Sequence, residues 1–116
     1  MMIDYEQMTC EACRVGAPPA TDKELDEFLA DRPDWMRVVI DEEPRLRRVY
    51  AFKNFAGALA FTNTVGDIAE SEGHHPALTT EWGRVTVDWW THKIHDIHRN
   101  DLIMAARSDA LYDGTA

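Results

Sequence analysis

Long apolar runs are missing from this 116-residue chain. No stretch approaches the roughly 20 residues that a bilayer-spanning helix needs, so a membrane-embedded protein of the helical kind is not expected. Basic residues are also scarce: 12 Lys and Arg stand against 21 Asp and Glu, for a formal charge of −9. A field of that sign repels phosphate backbones and speaks against direct nucleic-acid binding. Cysteine is nearly absent. The two present, Cys10 and Cys13, form one CxxC pair, which is half of a zinc site or a redox pair. No strand–helix pattern surrounds it, as a thioredoxin-like motif requires. It is read as two reduced thiols in a mobile tail. The start, Met1-Met2-Ile3-Asp4-Tyr5-Glu6, has no basic segment followed by an apolar one, so no signal peptide is read and a cytoplasmic location is expected.

What the chain does have is a core. Hydrophobic residues make up 45%, enough for one packed domain of this length. Residues 1–20 carry no clear period and end in Ala17-Pro18-Pro19-Ala20, which reads as an N-terminal extension; the domain is expected over 21–113. Thr21-Asp22-Lys23-Glu24 is a capping-box pattern, and Leu25, Phe28 and Leu29 follow at helical spacing up to Pro33. Met36–Ile40 and Leu46–Phe52 read as a hairpin turning at Glu43-Pro44, with Tyr50 and Phe52 on one face. Asn54 caps a helix whose apolar residues, from Ala58 through Phe61 and Val65 to Ala69, cover about half its circumference. Gly73 and Pro76 end it.

A second hairpin follows: Ala77–Glu81, a turn at Trp82-Gly83, then Arg84–His92, in which Val85, Val87 and Trp89 alternate with polar residues. A last helix starts between His98 and Asp101 and ends at Asp113-Gly114. The order helix, hairpin, helix, hairpin, helix specifies an α+β domain: a four-stranded antiparallel sheet with three helices on one face. An exposed sheet edge and a small core make self-association plausible on physical grounds.

All five histidines lie at or after position 74: His74, His75, His92, His95 and His98. Imidazole is the side chain that both gives and takes protons near neutrality. Glu70 precedes His74 by four residues, which on a continuing helix places a carboxylate beside that ring. Each residue alone has a plainer reading. A histidine at a helix C-terminus suits the dipole, Asp101 suits a helix first turn, and Trp35, Trp82, Trp89 and Trp90 suit a core or an interface. Imidazoles also ligate zinc, and a zinc protein using these histidines with Cys10 or Cys13 is a rival reading.

The joint spacing changes the weight of these residues. Glu70, then His74-His75-Pro76, Trp82, His92 and Asp101 follow at intervals that resemble, position by position, the signature of the pterin-4a-carbinolamine dehydratase family. Trp35 after the first helix and Phe52-Lys53-Asn54-Phe55 before the second also resemble it, so the likeness spans about residues 21–110. Cysteine-bearing extensions like residues 1–20 occur in bacterial members associated with phenylalanine hydroxylation. The resemblance implies a hydro-lyase that removes water from 4a-hydroxytetrahydrobiopterin to give quinonoid dihydropterin, recycling the cofactor of aromatic amino-acid hydroxylases. It implies His74, His75 and His92 as active-site imidazoles; His74 and His92 are taken as the acid–base pair and His75 as the group on the departing hydroxyl, a division of labour that the sequence leaves open. Glu70 is expected to orient His74, and Asp101 to support the site. Trp35, Pro76 and Trp82 are expected to line the pterin pocket, and His95 and His98 to lie on the surface. No metal or redox cofactor is implied. The family commonly forms homodimers or homotetramers, and some relatives act as non-catalytic interaction modules, which is the alternative function.

Overall fold

The computed structural model describes residues 5–7 and 19–114, in one antiparallel α+β layer pair. Cys10 and Cys13 lie outside the described residues. The first helix, α1 (Asp22–Asp31), starts where the sequence says it should. Thr21 Oγ1 accepts from the Glu24 N–H at 3.1 Å, and the Glu24 carboxylate accepts from the Thr21 N–H at 3.2 Å. The strands β1 (Met36–Ile40) and β2 (Glu43–Ala51) then pair from Met36↔Arg47 to Ile40↔Glu43.

The turn of this hairpin is Asp41-Glu42, not Glu43-Pro44 as the sequence reading placed it. Both residues take positive φ, 50° and 67°, the geometry that a two-residue hairpin loop demands. Pro44 instead sits inside β2, opposite Val39. Its missing N–H is tolerable there, because β2 gains its second neighbour only from Leu46 onward.

Asn54 caps α2 (Phe55–Glu72), its Oδ1 accepting from the Gly57 N–H at 2.8 Å. The second hairpin comprises β3 (Ala77–Glu81) and β4 (Arg84–Trp89), and the sheet order is β1-β2-β4-β3, antiparallel throughout. β4 stops at Trp89, three residues short of the expected end. The chain then turns through 91–96, closed by a Thr91↔Asp96 bridge, before α3 (Arg99–Asp113).

One sheet face is apolar and covered. Leu46 and Tyr50 of β2 and Val85, Val87 and Trp89 of β4 pack against Ala58, Phe61, Val65 and Ala69 of α2. Residues Leu102–Ala106 of α3 are buried on every side. Fully burying side chains such as Leu46, Phe61 and Ile103 stabilises the fold by about 1.5–3 kcal/mol each.

The far half of α3 carries a polar anchor. The Asp109 carboxylate accepts from Trp35 Nε1 at 3.0 Å, Tyr50 Oη at 2.6 Å, Arg32 at 2.8 Å and Arg48 at 2.6 Å. The extension expected over 1–20 is not wholly apart from the domain: Tyr5–Gln7 form a 3-10 turn, with Tyr5 buried edge-on to Phe28.

Candidate active site

Three chain segments meet at one end of the β3–β4 hairpin: the loop after α2, the 91–96 turn, and the first turn of α3. The αL residue Gly73 (φ 62°) begins the convergence. Its N–H bonds back to the Glu70 carbonyl, and the His74 N–H bonds to the Ala69 carbonyl at 3.1 Å. This paired closure reverses the chain at the end of α2 and turns His74 into the protein.

His74 is 6% exposed, and its Nε2 lies 2.6 Å from Asp101 Oδ1. Asp101, with no exposed surface, accepts three hydrogen bonds: from His74, from Thr91 Oγ1 at 2.8 Å and from the His98 N–H at 2.8 Å. Facing a carboxylate oxygen, His74 Nε2 is the nitrogen that donates, which leaves Nδ1 as the ring position not engaged by Asp101. The indole of Trp89 lies parallel to the His74 ring, with an interplanar angle of 3° and centroids 5.7 Å apart.

His92 is brought to the same place from the other side. Its Nε2 is 3.1 Å from the backbone carbonyl of His75, and since a carbonyl only accepts, Nε2 donates, and Nδ1 is the ring position not engaged by that bond. His75 itself is exposed, with Nε2 3.4 Å from Glu70 Oε1. Pro76, half-buried, joins His75 to β3.

Several expectations are corrected by this geometry. Glu70 does not orient His74; it faces His75, and Asp101 takes the role. The i,i+4 alignment required a helix continuing through position 74, which the αL turn at Gly73 forbids. For Asp101, support of the site and helix start were weighed as alternatives; the residue closes the capping box of α3 and also meets His74 Nε2. His98 is not a surface residue: it is the buried N-cap of α3, with Nδ1 accepting from the Asn100 N–H at 3.0 Å. His95 is exposed as expected, paired with Glu43 at 2.7 Å.

The two tryptophans expected to line a pocket do not join the histidines. Trp35 is bound to Asp109, eight residues along α3 from Asp101, or about 12 Å at the helical rise. Trp82 occupies the β3–β4 turn, at the opposite end of the hairpin from His75 and His92, and is 72% exposed. An open groove of about 690 Å³ between the end of β2, the start of α2 and the end of α3 is walled by Phe52, Phe61 and Tyr112, and no histidine borders it.

Thr91 and Trp89 were missed by the sequence reading as members of the site. The signal for Thr91 is adjacency to His92 in a closed turn. The signal for Trp89 is strand alternation, which sends it to the helix side where His74 arrives. Among the described residues, no group of three or more His, Cys, Asp and Glu side chains is placed to hold a metal ion, and no helix is long and apolar enough to cross a membrane.

The fold is thus an antiparallel α+β domain whose buried His74–Asp101 pair lies where the end of α2 meets the start of α3. A sequence model of the pterin 4 alpha carbinolamine dehydratase family matches residues 18–111, and the chain belongs to that family. A protein of Syntrophotalea carbinolica is 61% identical over 107 residues, which is 92% of this chain and 96% of that one. One of Marinobacter nauticus is 55% identical over 111 residues, 96% of this chain and all of that one. Both bear the name "Putative pterin-4-alpha-carbinolamine dehydratase". Among solved structures, a transcriptional coactivator/pterin dehydratase from Brucella melitensis superposes with a TM-score of 0.72 at 27% identity, covering 82% of this chain and 99% of that one. A pterin dehydratase-like protein described as a RuBisCO assembly factor in the alpha-carboxysome has the same fold at 24% identity, with a TM-score of 0.58, covering 68% and 89%.

Proposed function

We propose that this protein dehydrates 4a-hydroxytetrahydropterin to quinonoid dihydropterin and water, with His74 and His92 as the acid–base pair. The observation that carries the reading is the buried His74–Asp101 contact at 2.6 Å, with a second imidazole, that of His92, on the backbone carbonyl of the next residue, His75. In the reaction the C4a–O bond breaks as a ring-nitrogen lone pair forms a C=N bond. That nitrogen's proton passes to Nδ1 of one imidazole, and the hydroxyl leaves as water with a proton from Nδ1 of the other, which that ring has first taken up from solvent; exchange of both rings with solvent then restores the starting state. Positioned groups of this kind supply about 10²–10⁴-fold. His75 faces solvent at the rim and meets the departing hydroxyl. Pro76 stiffens that rim.

A scaffold on the same fold would not need a buried carboxylate aligned on an imidazole, which favours the enzyme over a non-catalytic interaction module. The protein works in the cytoplasm as a homodimer or homotetramer, alongside an aromatic amino-acid hydroxylase such as phenylalanine hydroxylase whose spent tetrahydrobiopterin it recycles.

The test is the decay of freshly formed 4a-carbinolamine, followed by ultraviolet absorbance. Purified protein accelerates it, and His74→Ala and His92→Ala each lose most of the rate. A wild-type rate equal to that of buffer removes the proposal.

A further inference from the structure

Trp89 and Trp90 are consecutive, so strand geometry sends their rings to opposite faces of the sheet. Each meets a histidine of the site. Trp89 lies parallel to His74, and Trp90 stacks on His92 with centroids 4.3 Å apart and planes 21° from parallel. Trp89 is further held by its Nε1, which donates to Ser108 Oγ at 3.2 Å. Trp90 is buried as well, at 7% exposed, yet its Nε1 has no acceptor among the described residues. A buried indole ordinarily finds a partner for its N–H. What holds Trp90 is therefore contact with its faces.

The Arg45 guanidinium lies over the Trp90 ring, 3.7 Å from its centroid, a cation–π contact. Arg45 is itself anchored: it donates to Asp88 Oδ2 at 3.3 Å, and Asp88, buried, accepts a two-pronged pair from Arg47 at 2.7 and 2.8 Å. Strand register explains the assembly. Arg47 stands opposite Asp88 and Leu46 opposite Trp89, the last pair of the ladder; Arg45 and Trp90 follow just beyond it and meet through the cation–π contact. A column from Asp88 through Arg45 and Trp90 to His92 runs from the interior of the sheet to the 91–96 turn.

We infer that Trp90, backed by Arg45, is a positioning residue for His92. One hydrogen bond to the His75 carbonyl fixes one atom of the imidazole; a stacked face fixes its plane, and with it the direction of Nδ1. The inference rests on reading His92 as a proton-transfer group.

The test pairs kinetics with histidine ring spectra on the same full-length proteins. In the wild type, the His92 ring protons are displaced upfield by the indole ring current. Trp90→Leu removes that displacement and lowers kcat by roughly tenfold to a hundredfold, with KM changed less than about twofold. Trp90→Phe, which keeps a flat ring, restores most of both. Arg45→Met keeps the aliphatic stem without the charge, gives a smaller loss in the same direction, and serves if Trp90→Leu does not fold. Trp90→Leu with wild-type kcat and unmoved His92 signals overturns the inference. Upfield His92 signals in a wild-type protein with no dehydratase rate overturn instead the underlying reading of the reaction, and the catalytic part of this inference with it.

Discussion

His74 and Asp101 are 27 positions apart in the chain, yet their side chains meet at 2.6 Å in the interior. Two helix ends make the contact: the αL closure of α2 delivers the imidazole, and the capping box of α3 delivers the carboxylate. The helix-start role of Asp101 and its role toward His74 use different oxygens of one group, Oδ2 for the His98 N–H and Oδ1 for the ring.

Asp101→Asn separates these roles. The Asn oxygen can keep the bonds from Thr91 and His98, which turns its NH₂ toward His74 Nε2. A ring facing a donor must present a lone pair there, so the proton moves to Nδ1 and the base is lost. The expected result is a kcat lower by about 10²-fold or more, with a His74 tautomer exchange visible in ring nitrogen chemical shifts.

Gly73→Ala tests the reversal that delivers His74. No neighbour lies within 4 Å of an added Cβ, so the cost is that of a left-handed backbone alone. Stability is expected to fall by about 1 kcal/mol, read from the urea midpoint.

Trp35→Phe distinguishes the observed place of Trp35 from the expected one. It removes one of the four residues that donate to Asp109 and leaves the histidines untouched. Denaturation is expected to show a loss of about 1–3 kcal/mol, while kcat and KM per folded molecule stay at wild-type values.

Tyr50 gives the pH prediction. Burial, and next the neighbouring Asp109 carboxylate, hold its hydroxyl far above the ordinary tyrosine range. The folded state therefore keeps a proton that the unfolded chain releases near pH 10. This contribution is complete below that pH and is lost as the pH rises beyond it, because only the unfolded state ionises. An alkaline titration read by tyrosinate absorbance and circular dichroism is expected to show the Tyr50 signal appearing together with unfolding, not before it.

Much of this architecture was written in the sequence. The caps at Thr21 and Asn54, the stop at Gly73 and the alternation of Val85, Val87 and Trp89 are local signals, and local physics decides them. The motif also named His74 and Asp101, whose side chains meet, and His92, whose ring reaches the backbone of His75. The wrong partner for His74 has the opposite character: Glu70 is near in sequence, whereas Asp101 is near only once α3 has docked. His98 was placed on the surface because nothing local reveals that a histidine will serve as a buried N-cap. Trp82 fits the spacing but lies across the hairpin from the imidazoles, since a spacing along the chain carries no direction in space. Pro44 misled because a proline reads as a turn wherever the second strand partner is not yet known.

Tyr5 and Glu6 bear on how the polypeptide is trimmed. Tyr5 covers the Phe28 ring, and Glu6 joins the Arg32 guanidinium whose other arm grips Asp109. A version starting at position 19 would strip that plug, wet a core aromatic and leave the buried aspartate's cation with one restraint fewer. The Tyr5–Gln7 turn is thus mechanically continuous with the far end of α3, and its removal would be felt as a lower melting temperature.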